Sequence, residues 1–173
     1  MQKKLLILVI MLSFLFLLSA CTKPQEVLTG RTFALDTLIE LKIYEYPKKG
    51  SDTLIQDTFD LITSLENTLS SHVSGSDIDN INQNAGIKPT KVSDLTYRVL
   101  QDSLMFSKFT DGLFDVTTGP LIKLWAIDPP DGHYPTQQEL SEVLPLIGYN
   151  RMLFLGENQV ELADKGMMIN LGA

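Results

Sequence analysis

The chain has 173 residues, 44% of them hydrophobic, and a formal charge of −7 from 14 basic and 21 acidic residues. That length suits one domain, or part of one, and leaves no room for two. The acidic balance, without a basic stripe, excludes a nucleic-acid partner, and the single cysteine excludes an intrachain disulfide.

Lys3 and Lys4 precede an apolar run from Leu5 to Leu18, followed by Ser19, Ala20 and Cys21. This is the charged, apolar, small-residue order of a secretory signal, too short and wrongly flanked for a typical transmembrane helix. Leu18-Ser19-Ala20-Cys21 also reads as a bacterial lipobox, in which Cys21 is lipidated and becomes the first residue. Each buried lipid methylene contributes roughly 0.8 kcal/mol, so two chains anchor stably. The expected organisation is a signal peptide over 1–20, a lipidated Cys21 with a short tether over 21–29, and a domain over 30–173. That domain would be lipid-anchored to a bacterial membrane and face outside the cytoplasm. Without residues 1–20 the chain carries 12 basic and 21 acidic residues, a charge of −9.

Arg31 to Tyr44 alternates Leu38, Glu40 and Lys42 with Ile39, Leu41 and Ile43, which predicts a strand with one buried face. Ser51-Asp52 offers an N-cap. Ile55, Phe59, Ile62, Leu65 and Leu69 then follow at helical spacing and predict a core-facing helix. Ser70 to Gly86 is rich in Ser, Asn, Asp and Gly and reads as a loop with one turn of helix. Ser93-Asp94 starts a second helix running to Thr110. Its apolar residues fall on two faces, Leu95/Val99/Phe106 and Tyr97/Leu100/Leu104, so it is expected between layers. Lys108 and Gly112 are its stop signals.

Thr110 to Trp125 holds the most unusual pattern. Asp115 sits between apolar Phe114 and Val116, followed by Thr117, Thr118 and a Gly119-Pro120 break. A carboxylate and hydroxyls on a stiffened turn suit recognition of ribose or an amide-bearing ring. Equally, Asp115 can cap the next turn while both threonines bond backbone. Trp125 is expected to close the core beneath Pro120.

Further on, Asp128 to Gly132 is a surface turn, and Thr136 with Glu139 forms a capping box for a short helix ending at Pro145. Met152 to Leu155 and Gln159 to Leu162 predict a hairpin turning at Gly156-Glu157-Asn158. Met167 to Ile169 reads as a buried strand. Gly172-Ala173 falls where that strand should lead into a helix, so the chain reads as a fragment. Strands and helices without a regular βαβ repeat indicate an α+β fold. No Walker loop, Rossmann fingerprint or serine nucleophile elbow occurs. The two histidines, His72 and His133, lie too far apart in sequence for a histidine metal cluster, and His133 reads as solvent-exposed.

Several stretches occur together in one order. They are Phe33-Ala34-Leu35-Asp36-Thr37, Leu69-Ser70-Ser71-His72 with Ser76-Asp77-Ile78, and the run Asp111-Gly112, Phe114-Asp115, Thr117, Gly119-Pro120-Leu121, Leu124-Trp125. Leu146-Ile147-Gly148-Tyr149 and Ile169-Asn170-Leu171-Gly172-Ala173 complete the set. In this order the chain resembles the FAD:protein FMN transferase (ApbE-like) family across its whole secreted part.

The resemblance implies a magnesium-dependent enzyme. An acceptor threonine hydroxyl attacks the pyrophosphate of FAD, FMN stays on the acceptor as a phosphoester, and AMP departs. It implies flavoprotein acceptors on the same side of the membrane, including subunits of membrane redox complexes. The alternatives are a flavin-binding lipoprotein without transferase activity, one that hydrolyses FAD to FMN and AMP, or, in another class, an adhesin or solute-binding lipoprotein. Implied flavin contacts are Leu35, where the family often has Met; His72, where it commonly has Tyr; Leu113, Phe114 and Asp115; and Asn170, where many members carry Asp. Asp36 replaces a usual Gly. The carbonyl of Ala173 matches a magnesium ligand, and the catalytic residues are expected beyond it.

Overall fold

The computed structural model describes residues 26–46, 51–126 and 132–172. The signal peptide, Cys21, the turn from Asp128 and Ala173 lie outside these residues. The described residues form two compact units: one takes residues 26–31, 40–46 and 51–55, the other 32–39, 56–126 and 132–172.

The single strand expected over Arg31 to Tyr44 is a hairpin. β1 (Val27–Ala34) and β2 (Thr37–Tyr44) form a two-stranded sheet. Leu35 and Asp36 turn the chain with φ of 52° and 54°. Two left-handed residues in a row suit a two-residue hairpin turn, but Leu carries none of the Asn or Gly chemistry that usually announces one. β1 also starts inside the stretch read as tether. Ile39, Leu41 and Ile43 do share the better-covered face, although none is fully buried. In the first unit the exposed Arg31 guanidinium donates to Glu40 at 3.1 Å, and with Lys42 at 3.6 Å it holds that carboxyl below its usual range.

α1 (Leu54–Leu69) carries the predicted apolar stripe, but no residue of it is buried. Ile55, Phe59, Ile62, Leu65 and Leu69 are half-covered, so the core lies elsewhere. α2 (Asp77–Gln83) fills two turns of the predicted loop, capped by Ser76, whose hydroxyl accepts the Asp79 N–H at 2.9 Å. Its polar composition hides two core residues, Ile78 and Ile81.

β3 (Thr90–Lys91) precedes α3 (Asp94–Phe109), which starts at an Ser93 N-cap as expected. Of its two apolar faces the Tyr97/Leu100/Leu104 face joins the core, while on the other Leu95 and Val99 are half-covered and Phe106 is exposed. The buried line is Thr96, Leu100, Ser103 and Ser107, while Phe106 and Phe109 stand out in solvent. Ser103 and Ser107 bond back to the carbonyls of Val99 and Ser103, so small hydroxyl residues line the tight side.

α4 (Gly119–Trp125) begins at the Gly119-Pro120 step, because proline suits the first turn of a helix. Trp125 lies at its end, edge-on to Tyr134 at 5.3 Å, and not in the core. α5 (Gln137–Val143) has the predicted capping box and runs into a 3-10 turn at Leu144–Leu146. After a second 3-10 turn at Tyr149–Arg151, the hairpin of β4 (Met152–Phe154) and β5 (Gln159–Leu162) forms as expected. β5 is central, antiparallel to β3 and β4.

The core of the second unit gathers Ile78 and Ile81 from α2, Leu100 from α3, Met152, Val160 and Leu162 from the sheet, and Met167 and Ile169 from the last segment. That segment makes an isolated parallel bridge, Thr118 to Met168, and is not the regular strand expected. Its main chain bonds to a turn on one edge and to a side chain on the other, so no ladder can grow.

Candidate functional site

A cavity of about 660 Å³ opens in the second unit. Four stretches far apart in sequence wall it. Asp36 comes from the hairpin tip, Ser71 and His72 from the bend after α1, Gly119, Ile122 and Lys123 from α4, and Met168 to Asn170 from the last segment.

Each wall is braced. The hairpin tip is tied down by Glu66, whose carboxylate accepts the Leu35 N–H at 3.0 Å. The bend at His72 is set by its own N–H donating to the buried Ser70 hydroxyl at 3.1 Å. At α4 the main chains of Gly119 and Met168 press together, the Gly119 N–H donating to the Met168 carbonyl at 3.2 Å. A Cβ on Gly119 would stand 2.7 Å from that oxygen. Here glycine serves close approach. Asn170 donates its N–H to the Val116 carbonyl at 2.9 Å, and its side-chain oxygen accepts the Gly172 N–H at 2.7 Å.

Of the expected flavin contacts, His72 and Asn170 line the cavity; Leu35 does not, although its neighbour Asp36 does. Leu113, Phe114 and Asp115 do not line it. Gly112, at φ +80°, reverses the chain after α3 and donates to the Ser107 carbonyl at 2.9 Å. Leu113 is left 94% exposed and Phe114 44% exposed. Asp115 points its carboxylate at protein donors. One oxygen accepts the Thr117 N–H at 2.7 Å and the Thr117 hydroxyl at 2.6 Å, the other the Tyr149 N–H at 2.9 Å. Of its two readings, the local capping role is the one this geometry displays.

Lys123, Ser71 and Met168 were missed in the sequence. Lys123 looks like an ordinary solvated helix residue until the fold brings Asp36 and His72 into the same cavity. His133, as expected, is exposed, and it pairs with Glu139 at 3.2 Å. Among the described residues the carboxyls with shifted acidity are Glu40 and Glu139, and both lie outside the cavity lining.

The volume falls in the range of small-molecule sites, and apolar Ile122 and Met168 alternate with the polar groups of His72, Lys123 and Asn170. Such a lining suits a flat ring with hydrogen-bonding edges. Among the described residues, no three His, Cys, Asp or Glu come together to hold a metal ion, and the expected carbonyl ligand Ala173 lies outside them. No helix among the described residues is long and apolar enough to cross a membrane.

The ApbE family model matches residues 35–173, most of the chain and every wall of the cavity. The chain belongs to the ApbE family. A similar protein, the FAD:protein FMN transferase of Vibrio cholerae, is 30% identical over 151 residues, covering 84% of this chain and 44% of its own length. The transferase of Treponema pallidum is 27% identical, over 80% of this chain and 40% of its own. The crystal structure of the ApbE protein from Thermotoga maritima matches with a TM-score of 0.78 at 26% identity, covering 85% of this chain and 48% of that one. The flavin transferase ApbE of Vibrio cholerae shares the fold at a TM-score of 0.77 and 24% identity. The chain thus spans under half the length of these relatives.

Proposed function

We propose that this chain recognises the flavin of FAD and serves the transfer of FMN to a threonine hydroxyl of an acceptor flavoprotein. The observation carrying this reading is the cavity itself. It draws its walls from Asp36, Ser71-His72, Gly119 and Asn170, and a ring-sized ligand suits its mixed lining. His72 is suited to stack on such a ring, and Asn170 to offer both donor and acceptor to its edge.

In the proposed reaction the acceptor threonine oxygen forms a bond to phosphorus and the P–O–P bridge breaks. AMP carries away the bridging oxygen, and the hydroxyl proton passes to a base. Magnesium, when bound, would neutralise phosphate charge. The described residues supply no ligand cluster for it, so no step is assigned through it. Acceptors are proposed to be flavoprotein domains, including subunits of membrane redox complexes, on the side of the membrane where a lipidated Cys21 holds the chain.

The test mixes the protein in its full encoded length with FAD, magnesium and a threonine-bearing acceptor domain, and looks for the mass of covalent FMN on the acceptor. Loading that disappears when the acceptor threonine becomes valine supports transfer. Release of FMN and AMP without loading favours the hydrolytic alternative, and absence of any FAD uptake overturns the flavin reading.

A further inference from the structure

The side-chain amide of Asn82 makes a two-bond ring with the main chain of Ile169. Its Nδ2 donates to the Ile169 carbonyl at 2.9 Å, and its Oδ1 accepts the Ile169 N–H at 2.7 Å. The two residues are 87 positions apart. A primary amide presents one donor and one acceptor side by side, the pattern a neighbouring strand would offer. On the opposite edge the same segment accepts from Gly119 at the Met168 carbonyl and donates from Asn170 to Val116. The main-chain polar groups from the Met168 carbonyl to the Asn170 N–H are therefore satisfied alternately from two sides, as in a central strand. Among the described residues no strand pairs with that edge, and Asn82 makes the two bonds that one would make.

We infer that Asn82 is a positioning residue for the cavity: by holding Ile169 it sets where Met168 and Asn170 stand against the ligand. The inference rests on the flavin reading of that cavity. Ile169 is wholly buried, Met168 and Asn170 on either side of it are partly exposed, and all three line the cavity. Asn82 is not among the lining residues, so it acts only through Ile169. Its position also argues for a specific task. Asparagine is a poor helix former, yet it sits inside the seven-residue α2, where its amide reaches the last segment and makes no local bond. Without Asn82, a buried N–H and a carbonyl lose their partners, and the strip retains only its bonds to 116–119.

The experiment compares the full-length wild type with Asn82→Asp, Asn82→Ala and a control, Asn84→Ala. Asn82→Asp keeps the shape and the acceptor for the Ile169 N–H but turns an oxygen toward the Ile169 carbonyl. The Asn84 side chain donates to the Asn80 carbonyl at 2.8 Å, at the end of the same helix, so its loss reports on the stability of that helix end. Three quantities are measured: FAD affinity with the visible spectrum of the bound flavin, thermal unfolding, and amide hydrogen exchange at Ile169 and Asn170. Both Asn82 variants should weaken FAD by roughly tenfold or more, the scale of a small misplacement in a site. They should also alter the flavin spectrum and speed exchange at Ile169, whereas Asn84→Ala lowers thermal stability alone. Wild-type affinity, spectrum and exchange in folded Asn82→Asp would overturn the inference, and that variant carries the test if Asn82→Ala fails to fold. Should the wild type take up no FAD, the flavin reading falls. Exchange then decides alone, with protection lost at Ile169 upholding Asn82 as the holder of the strip and protection kept refuting it.

Discussion

The Asp115 carboxylate accepts the main-chain N–H of Tyr149 at 2.9 Å, joining two loops 34 residues apart. Its other oxygen holds Thr117, which is wholly buried and whose hydroxyl in turn accepts the Gly148 N–H at 2.8 Å. Asp115 and Thr117 thus cross-brace the turn entering α4 against the Ile147-Gly148-Tyr149 stretch. Asp115→Ala would leave three donors without their acceptor. A bond to a charged group contributes about 1.5–3 kcal/mol, and the three are coupled, so the expected loss of stability is about 2–3 kcal/mol. Asp115→Asn should cost less, since the amide keeps one accepting oxygen. Urea unfolding measures both. A fall in FAD affinity at unchanged stability would move Asp115 from bracing to ligand contact.

Gly119→Ala tests the close approach on the other side of the same turn. The added methyl would meet the Met168 carbonyl oxygen at 2.7 Å and the Met168 Cβ at 2.8 Å. Neither the backbone nor the first side-chain carbon can swing aside, so the cavity strip must shift. Overpacking of this kind costs about 1–3 kcal/mol. FAD titration of the folded variant should show weaker binding alongside the stability loss, because Met168 and Gly119 both line the cavity.

What could be read without coordinates follows the range of the interactions. The Thr136–Glu139 capping box, the Ser93 cap and the turn at Gly156 are settled within a few residues, and each formed as the local chemistry dictates. The Leu35-Asp36 turn was hidden because its left-handed backbone is held by Glu66, 31 positions away from Leu35. α2 is longer than the single turn expected because Asn80, Asn82 and Asn84 look like loop residues, although Asn82 is committed to Ile169. The cavity motifs could be picked out through the family resemblance, but the inward turn of Asp115 could not. Its decisive partner, the Tyr149 N–H, is a main-chain group that no residue pattern marks.

The capping box supplies a pH prediction. The Thr136 main-chain N–H and hydroxyl, and then His133, hold the Glu139 carboxyl below its ordinary value of 4.5. A carboxyl lowered in the folded state contributes stability that is complete above its unfolded value. That contribution is lost as pH falls through the lowered folded value, so α5 should lose exchange protection in acid. Thr136→Val removes the hydroxyl and keeps the N–H. The Glu139 titration, followed by carboxyl carbon resonance, should move part of the way back toward 4.5.

Membrane attachment is predicted to depend on Cys21. Cys21→Ser removes the sulfur to which lipid would be joined, and the polar residues after it offer no apolar substitute. Fractionation of cells should move the protein from the membrane to the soluble fraction. Retention of the processed variant on membranes would count against the lipoprotein reading.

His72 offers the cleanest probe of the ligand. His72 lines the cavity, and its main chain is held by the bond to Ser70, whose own carbonyl accepts the Ser76 hydroxyl at 2.5 Å. A change of ring should therefore leave the bend in place. His72→Tyr enlarges the aromatic face, and a well-placed aromatic pair contributes about 0.5–1.5 kcal/mol beyond area burial. FAD affinity should stay level or rise by up to that amount, with deeper quenching of flavin fluorescence and an unchanged thermal midpoint. His72→Ala should weaken binding and reduce the quenching at the same midpoint. Stacking is the link between these two outcomes. If both variants bind and quench as the wild type does, the flavin ring does not lie against His72, and its place in the cavity must be sought along Met168 and Ile122.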